Sequence, residues 1–406
     1  MRPRPPAPEV ELLRRALFLT ATTASHALHS VWSFAGVIFS AFLLAWGAEA
    51  AQFYISQGLA LAVLAWLQTL PEFAVEAVIA WQQDVHLMTA NFTGSLRLFV
   101  GFGFPLIYFT HWAFNRPRSG EGFAPVIKLS RNDAVSLLFL LPPLPYFLWV
   151  WYKQTLTLFD TGVLFLIYGA YLWTVNRLPP EAHEEDLDDL PAVSRLVVRL
   201  PRGPRIAAII GLFVAGGLGI YFCAHPFLES LKAIAVTAGI STFVFVQWVA
   251  PFVSEFPEKV TAFYWAKTRR KAPMGLLNMV SSSINQWTLL IGMLPVIFSW
   301  SRGEISTIPF DEHQRAEILL TATQSLLSFL LLANLRFHWY EATVLFVLWL
   351  IQFVFADLRE EILIAYAAWI LFEVGLVVLG KKSLPIFKAS VALWREHLRP
   401  GAPRRA

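Results

Sequence analysis

Two carboxylates each follow a proline inside an apolar run, Glu72 in Gln68-Thr69-Leu70-Pro71-Glu72 and Glu258 in Val253-Ser254-Glu255-Phe256-Pro257-Glu258. Proline has no N–H for the carbonyl four residues back, so Pro71 frees the carbonyl of Leu67 and Pro257 that of Val253. Each motif therefore sets a loose carbonyl oxygen beside a carboxylate, and the hydroxyls of Thr69 and Ser254 add two more oxygens. Hard cations such as Na⁺ and Ca²⁺ are held by clusters of oxygens, with carboxylates among the ligands of Ca²⁺. Glu76 stands one turn after Glu72, and Glu255 three residues before Glu258, so each can share a helix face with its motif glutamate. Four carboxylates in one cavity overcharge it unless protons, ion pairs or bound cations neutralise them. The competing reading is that the prolines kink packed helices and the glutamates sit at a wet interface, a reading with more force for Glu76 and Glu255 than for Glu72 and Glu258.

A second polar cluster follows each motif. It is Thr89-Ala90-Asn91-Phe92-Thr93-Gly94-Ser95 in the first case and Asn278-Met279-Val280-Ser281-Ser282-Ser283-Ile284-Asn285-Gln286 in the second. Close helix packing accounts for Gly94 and some of the serines. Asn91, Asn278 and Asn285 are amides in otherwise apolar segments and call for a polar partner.

The elements that must carry these groups are membrane helices. Of 406 residues 56% are hydrophobic and only 15% charged, against about 25% charged in an average soluble domain. The mean hydropathy is +0.55, and Trp112, Trp151, Trp173, Trp300 and Trp339 fall near the ends of apolar stretches, as interfacial anchors do. One cysteine, Cys223, excludes an intramolecular disulfide and a cysteine-cluster metal site. Windows of about 20 apolar residues place spans at 31–52, 57–82, 88–113, 133–152 and 157–177, then at 205–225, 231–266, 273–299, 316–335 and 339–357, with an extra one at 361–380.

The chain thus divides into an N-terminal tail, 1–30, with an interfacial helix expected over 11–28; a first half, 31–177; a charged linker, 178–204; a second half, 205–357; an extra helix, 358–380; and a basic tail, 381–406. No cleavable signal peptide is expected. The acidic run of the linker, Glu181 to Asp189, reads as solvated, with calcium sensing as a remote alternative.

The halves resemble each other. Leu158-Phe159-Asp160-Thr161-Gly162-Val163-Leu164-Phe165 lines up with Trp339-Tyr340-Glu341-Ala342-Thr343-Val344-Leu345-Phe346, each opening the fifth span of its half. Five spans per half is odd, so the second half enters from the opposite side, which is the inverted-repeat architecture of many secondary transporters. Loop charge agrees. Arg116, Arg118, Lys128, Arg131, Arg177, Lys267, Arg269, Arg270, Lys271 and the C-terminal basic residues collect on one side, while Lys153, Lys232, Arg302 and Arg359 are scattered on the other. The positive-inside rule then sets the N-terminus outside and the C-terminus in the cytoplasm, with Arg2, Arg4, Arg14 and Arg15 against the pattern.

These motifs resemble those of the cation/Ca²⁺ exchanger superfamily, nearest its sodium/calcium exchanger branch. That family carries two α-repeats, each with Gly-Thr-Ser-Leu-Pro-Glu followed by Asn-x-x-Gly-Ser-Asn. The counterparts here are Leu67 to Glu72 with Asn91 to Ser95, and Val253 to Glu258 with Asn278 to Ser283. Ala45-Trp46-Gly47-Ala48-Glu49 resembles the family's first span. The proton-coupled branch, which writes Gly-Asn-x-x-Glu in place of the Pro-Glu motif, fits less well. The resemblance implies an all-α fold of two inverted five-helix repeats, with Glu72 and Glu258 as central Ca²⁺ and Na⁺ ligands and Thr69, Ser95 and Ser281 or Ser282 as flanking oxygens. The departures are Glu255 in place of a motif serine, Leu67-Gln68 in place of Gly-Thr, and Arg97, Leu98 or Phe99 where the first repeat should offer a further ligand. The second repeat offers Asn285 or Gln286 there. Arg97 is read as a counter-ion for Glu76 or Glu255, or as a snorkelling residue.

The expected function is a secondary antiporter in the cell (inner) membrane that exchanges Ca²⁺ or another divalent cation for Na⁺ or H⁺, with inorganic cations and lipid as partners, no cofactor and no nucleic acid. Its expected cation-binding groups are Glu72, Glu258, Thr69, Ser254, Glu255, Ser95, Ser281, Ser282, Asn285, Glu76, Asn91 and Asn278. The alternatives are a non-transporting scaffold or sensor on the same fold, and an intramembrane enzyme using Glu255, Glu258, His86 and His111. No nucleophile or metal constellation accompanies the last.

Overall fold

The computed structural model describes residues 31–117, 122–179, 187, 190–237, 252 and 254–398. The interfacial helix expected over 11–28, the acidic run of the linker apart from Leu187, the freed carbonyl of Val253 and the arginines at 404 and 405 lie outside the described residues.

The described residues are helical almost throughout. Along the first half run α1 (Val31–Ala51), α2 (Gln57–Gln68), α3 (Leu70–Trp81), α4 (Val85–Phe114), α5 (Asp133–Lys153) and α6 (Leu158–Val175). After α7 (Ala192–Arg199) come α8 (Arg202–Thr237), α9 (Phe256–Ala266), α10 (Ala272–Arg302), α11 (Glu312–Leu332), α12 (Trp339–Val354), α13 (Arg359–Val378) and α14 (Pro385–Leu393). Among the described residues, eight helices are long and apolar enough to cross a bilayer, α2 and α3 add a ninth crossing if taken as one span bent by 49°, and α12 is a shorter apolar helix.

Where the residues are described, the span boundaries read from hydropathy agree with these helices to a few residues, except that the span expected at 57–82 is two helices bent by 49° and that one break is missing. A break is expected between 225 and 231, but α8 runs unbroken to Thr237 with Pro226 in its interior. An interior proline removes one hydrogen bond and bends a helix without having to end it. The linker is not all solvated either, because α7 buries Ser194, Val197 and Val198.

Two short strand pairs tie the halves together crosswise. Strand β1 (Ile127–Lys128), just before α5, pairs antiparallel with β4 (Arg336–Phe337), just before α12; β2 (Thr155–Leu156), just before α6, pairs with β3 (Ile308–Pro309), just before α11. The start of the fourth span of each half therefore shares a face with the start of the fifth span of the other. Asp160 and Glu341, aligned by sequence, both sit at the third position of their helices and close capping boxes, with Thr157 and His338.

The first helices of the halves, α1 and α8, cross closely because small residues line the contact. A Cβ placed on Gly219 would lie 2.1 Å from the Ser40 hydroxyl, and one on Gly216 would lie 2.6 Å from Leu44. Trp112, Trp173, Trp300 and Trp339 are exposed, as belt residues would be, whereas Trp265 and Trp287 are fully buried in the core.

Candidate cation site

The site is built where α3, α4, α9 and α10 meet. Pro71 and Pro257 each lie at the start of a helix, α3 and α9, where a missing N–H costs nothing. The bend ahead of α3 is held by Thr69. Its hydroxyl reaches the carbonyls of Ala65 and Trp66 at 3.0 and 3.1 Å, and the N–H of Glu72 turns to the Thr69 carbonyl at 3.0 Å. The carboxylates of Glu72 and Glu258 thus leave the first turns of two helices, where backbone N–H groups favour negative charge.

Helices α4 and α10 are continuous but each contains one π turn, Phe99–Gly103 in α4 and Gln286–Leu290 in α10. Such turns are rare and concentrate at functional sites. In each helix the π turn begins eight residues after an asparagine, Asn91 or Asn278. This register makes Ser95 equivalent to Ser282 and Phe99 equivalent to Gln286.

Glu72, Glu76, Glu255 and Glu258 are all essentially inaccessible to solvent. Glu255, Glu258 and Glu76 lie within electrostatic reach of Glu72, and Ser95 adjoins the carboxylates of both Glu72 and Glu255. Amides from one half hold side chains of the other. The amide of Gln286 donates to Glu72, that of Asn285 to the Thr69 hydroxyl at 2.6 Å, and that of Asn278 to Gln68 at 3.1 Å. Gln68 in turn donates to Thr261 at 2.7 Å and to the Pro257 carbonyl at 3.3 Å, while Asn91 donates to Glu76 at 3.0 Å.

What remains is a set of buried oxygens with no hydrogen-bond partner: one from each of Glu72, Glu76 and Glu255, both of Glu258, the hydroxyls of Ser95 and Ser282, and the side-chain carbonyls of Asn278, Asn285 and Gln286. Unsatisfied buried acceptors are costly. A cluster of them, acidic and drawn from both halves, fits a hard cation of the Ca²⁺ or Na⁺ type.

The predicted groups do not all take equivalent places. Ser95 and Ser282 keep open oxygens, whereas Ser281 is engaged with Tyr171 at 2.9 Å. Thr69 is committed to the bend, and Ser254 is buried just ahead of α9. The choice left open between Asn285 and Gln286 resolves into two roles, one on Thr69 and the other on Glu72.

Arg97 is neither a counter-ion for Glu76 or Glu255 nor a snorkelling residue. It is buried, and pairs with Glu317 of α11 at 2.6 Å, a carboxylate that Arg359 of α13 also engages. The side chain lies on another face of α4 from Ser95, a fact of helical phase that a count of positions does not weigh against competing partners. His111, named only in the enzyme alternative, is buried in α4.

Sequence reasoning missed Lys259. Its ammonium is buried, pairs with Glu255 and lies 4.4 Å from the centroid of the Phe99 ring. The signal was present, since a glutamate four residues before a lysine is the favoured order for a helical ion pair. Glu49 closes the stretch Ala45 to Glu49 that resembles the family's first span. It anchors one face of the molecule, accepting from Trp265 at 3.0 Å and Ser194 at 2.8 Å and pairing with Lys271 at 2.6 Å.

Fold and site together define a polytopic helical membrane protein with a buried, oxygen-rich acidic centre shared by two halves. Residues 25–176 and 208–356 match the sodium/calcium exchanger protein family, and the chain belongs to that family. The crystal structure of the H⁺/Ca²⁺ exchanger CAX is similar at 30% identity over 91% of both chains, with a TM-score of 0.75. The sodium-calcium exchanger NCX_Mj shares the fold at 18% identity, over 81% of this chain and 97% of that one, with a TM-score of 0.61; in another of its structures the identity is 20%. No curated protein matches the chain. The resemblance to the cation/Ca²⁺ exchanger superfamily is therefore correct, and of these two branches the proton-coupled structure is the more similar.

Proposed function

We propose that the protein is a secondary antiporter that exchanges Ca²⁺, or a divalent cation of similar chemistry, for protons at this single buried site. The observation that carries the reading is the set of partnerless oxygens contributed by both halves around Glu72 and Glu258. A buried centre of this charge must be neutralised at every stage, either by a divalent cation or by protons. Alternation between those two fillings is exchange. Glu72 and Glu258 are the central ligands in this reading, with Ser95, Ser282 and the carbonyl oxygens of Asn278 and Asn285 at the flanks, while Glu255 is paired with Lys259. Glu76 and Asn91 extend the polar chain along α3 and α4. Thr69 shapes the bend ahead of α3 rather than facing the ion.

Proton coupling is preferred to sodium coupling because the exchanger with 30% identity is named for H⁺ and Ca²⁺. The first half also has Phe99 at the position equivalent to Gln286. Sodium coupling remains the second reading, favoured by the shared fold with NCX_Mj.

The architecture supporting exchange is ten core spans in two inverted repeats plus α13. The crosswise strand pairs, the two bent or proline-started segments and the two π turns at equivalent registers all favour that arrangement. The β1 and β4 face carries Arg116, Lys128, Arg131, Arg177, Lys267, Arg269 and Lys381, a charge excess that supports a cytoplasmic side of a cell (inner) membrane for this face and an N-terminus outside. Uptake of ⁴⁵Ca²⁺ into proteoliposomes tests the whole reading. A pH gradient should drive it and a sodium gradient at fixed pH should not; flux under the sodium gradient alone reverses the choice of coupling ion, and none under either returns the scaffold alternative.

A further inference from the structure

The two halves of the site differ at one equivalent pair, Gln286 and Phe99. Gln286 turns its amide to Glu72 across the interface. Phe99 has no polar atom to offer. The face of its ring instead receives the ammonium of Lys259, which also pairs with Glu255 one turn before it on the same helix.

Both partners of this pair are out of water, with side-chain exposures of 4% for Lys259 and 0% for Glu255. An ammonium buried there needs its carboxylate, and a desolvated ring face adds to its hold. Arg97 cannot serve in its place because it is committed to Glu317.

Resting on the exchanger reading, we propose that Lys259 is a tethered counter-ion within the carboxylate cluster. Its ammonium stands where a monovalent cation from solution would otherwise neutralise Glu255, and so makes exchange independent of sodium. Glu255 is then closed to solution cations by the chain's own charge, which leaves Glu72 and Glu258 to the exchanged ions. Lys259 acts through Glu255 and decides which ions the site takes.

The test compares wild type with K259R, K259M and the double variant K259M/E255Q in proteoliposomes, measuring pH-driven ⁴⁵Ca²⁺ uptake with Na⁺ or choline as the external monovalent cation. Wild type and K259R are expected to take up Ca²⁺ equally in both. K259M leaves Glu255 buried without its cation, so its uptake in choline should fall about tenfold or more and recover with Na⁺. The double variant removes both charges and should be sodium-independent again. Sodium-independent uptake by K259M at the wild-type rate overturns the proposal. So does a double variant that depends on sodium, a readout that stands even if K259M does not fold. Absence of uptake by wild type under a pH gradient and under a sodium gradient alike overturns the exchange reading itself. In that case ²²Na⁺ binding to detergent-solubilised protein decides on Lys259: binding gained in K259M over wild type supports the counter-ion, and none overturns it.

Discussion

The side-chain amide of Asn285, in the second half of the chain, donates at 2.6 Å to the hydroxyl of Thr69, at the bend between α2 and α3 in the first. Thr69 passes its own proton back to the carbonyl of Ala65. The bend that presents Glu72 is therefore held from the other half of the molecule, and any rearrangement of α10 is felt at the bend.

Replacing Thr69 by valine breaks both bonds and leaves the Asn285 amide buried without an acceptor. The expected loss is about 1–3 kcal/mol, and Asn285→Ala, which leaves the helical hydroxyl bond in place, should cost less. Thermal unfolding in detergent followed by tryptophan fluorescence reads the order of the two.

Glu72→Gln and Glu258→Gln keep volume and remove charge. Each should lower ⁴⁵Ca²⁺ transport by about a hundredfold, since a central carboxylate ligand contributes through charge-assisted bonds that an amide does not replace. Both variants should purify as folded protein. Full transport by either one sinks its assignment as a ligand.

Glu317 balances two arginines, Arg97 on α4 and Arg359 on α13. Glu317→Gln takes from both arginines the carboxylate that they share in a largely buried place and should cost about 3–5 kcal/mol. Arg97→Met leaves Glu317 with Arg359 and should cost less. If the two variants melt together, the triad is not the lock between α13 and the site helix that its geometry suggests.

Lys128 and Arg336 face each other across the β1 and β4 pair. Cα atoms of an antiparallel pair stand about 4.5–5.5 Å apart, within disulfide range. With Cys223 replaced by alanine, the double variant K128C/R336C should oxidise to a cross-linked chain that shifts on a gel. Cysteines at Arg131 and Arg302 should react with an impermeant maleimide from opposite sides, Arg131 from the cytoplasm. Labelling of both from one side would refute the orientation.

Gly101 lies in the π turn of α4, where an added Cβ would sit 2.2 Å from the side chain of Trp349. Gly101→Ala should push α12 away and cost about 1–3 kcal/mol. A melting temperature equal to wild type would show that this contact yields easily.

The membrane setting, most of the spans and the presence of buried acidic groups were legible in the sequence, because each is written in local physics. Apolar runs of bilayer length need no partner to be recognised, and a proline followed by glutamate in such a run is an energetic demand that can be read without coordinates. The alignment of Asp160 with Glu341 was legible for the same reason, and both close capping boxes at the same helical position.

What only the tertiary structure decided was who faces whom. Arg97 is two residues from Ser95, yet a helix turns by about 100° per residue, so the serine meets Glu72 and Glu255 while the arginine meets Glu317. Lys259 adjoins Glu258 in sequence but pairs with Glu255, over a ring supplied by the other half. The equivalence of Phe99 with Gln286 emerged from where the two π turns begin, and a π turn inserts one residue without a sequence signature of its own. Spacing along the chain limits which side chains can share a helix face, but the partner on that face is chosen by packing between helices more than two hundred residues apart.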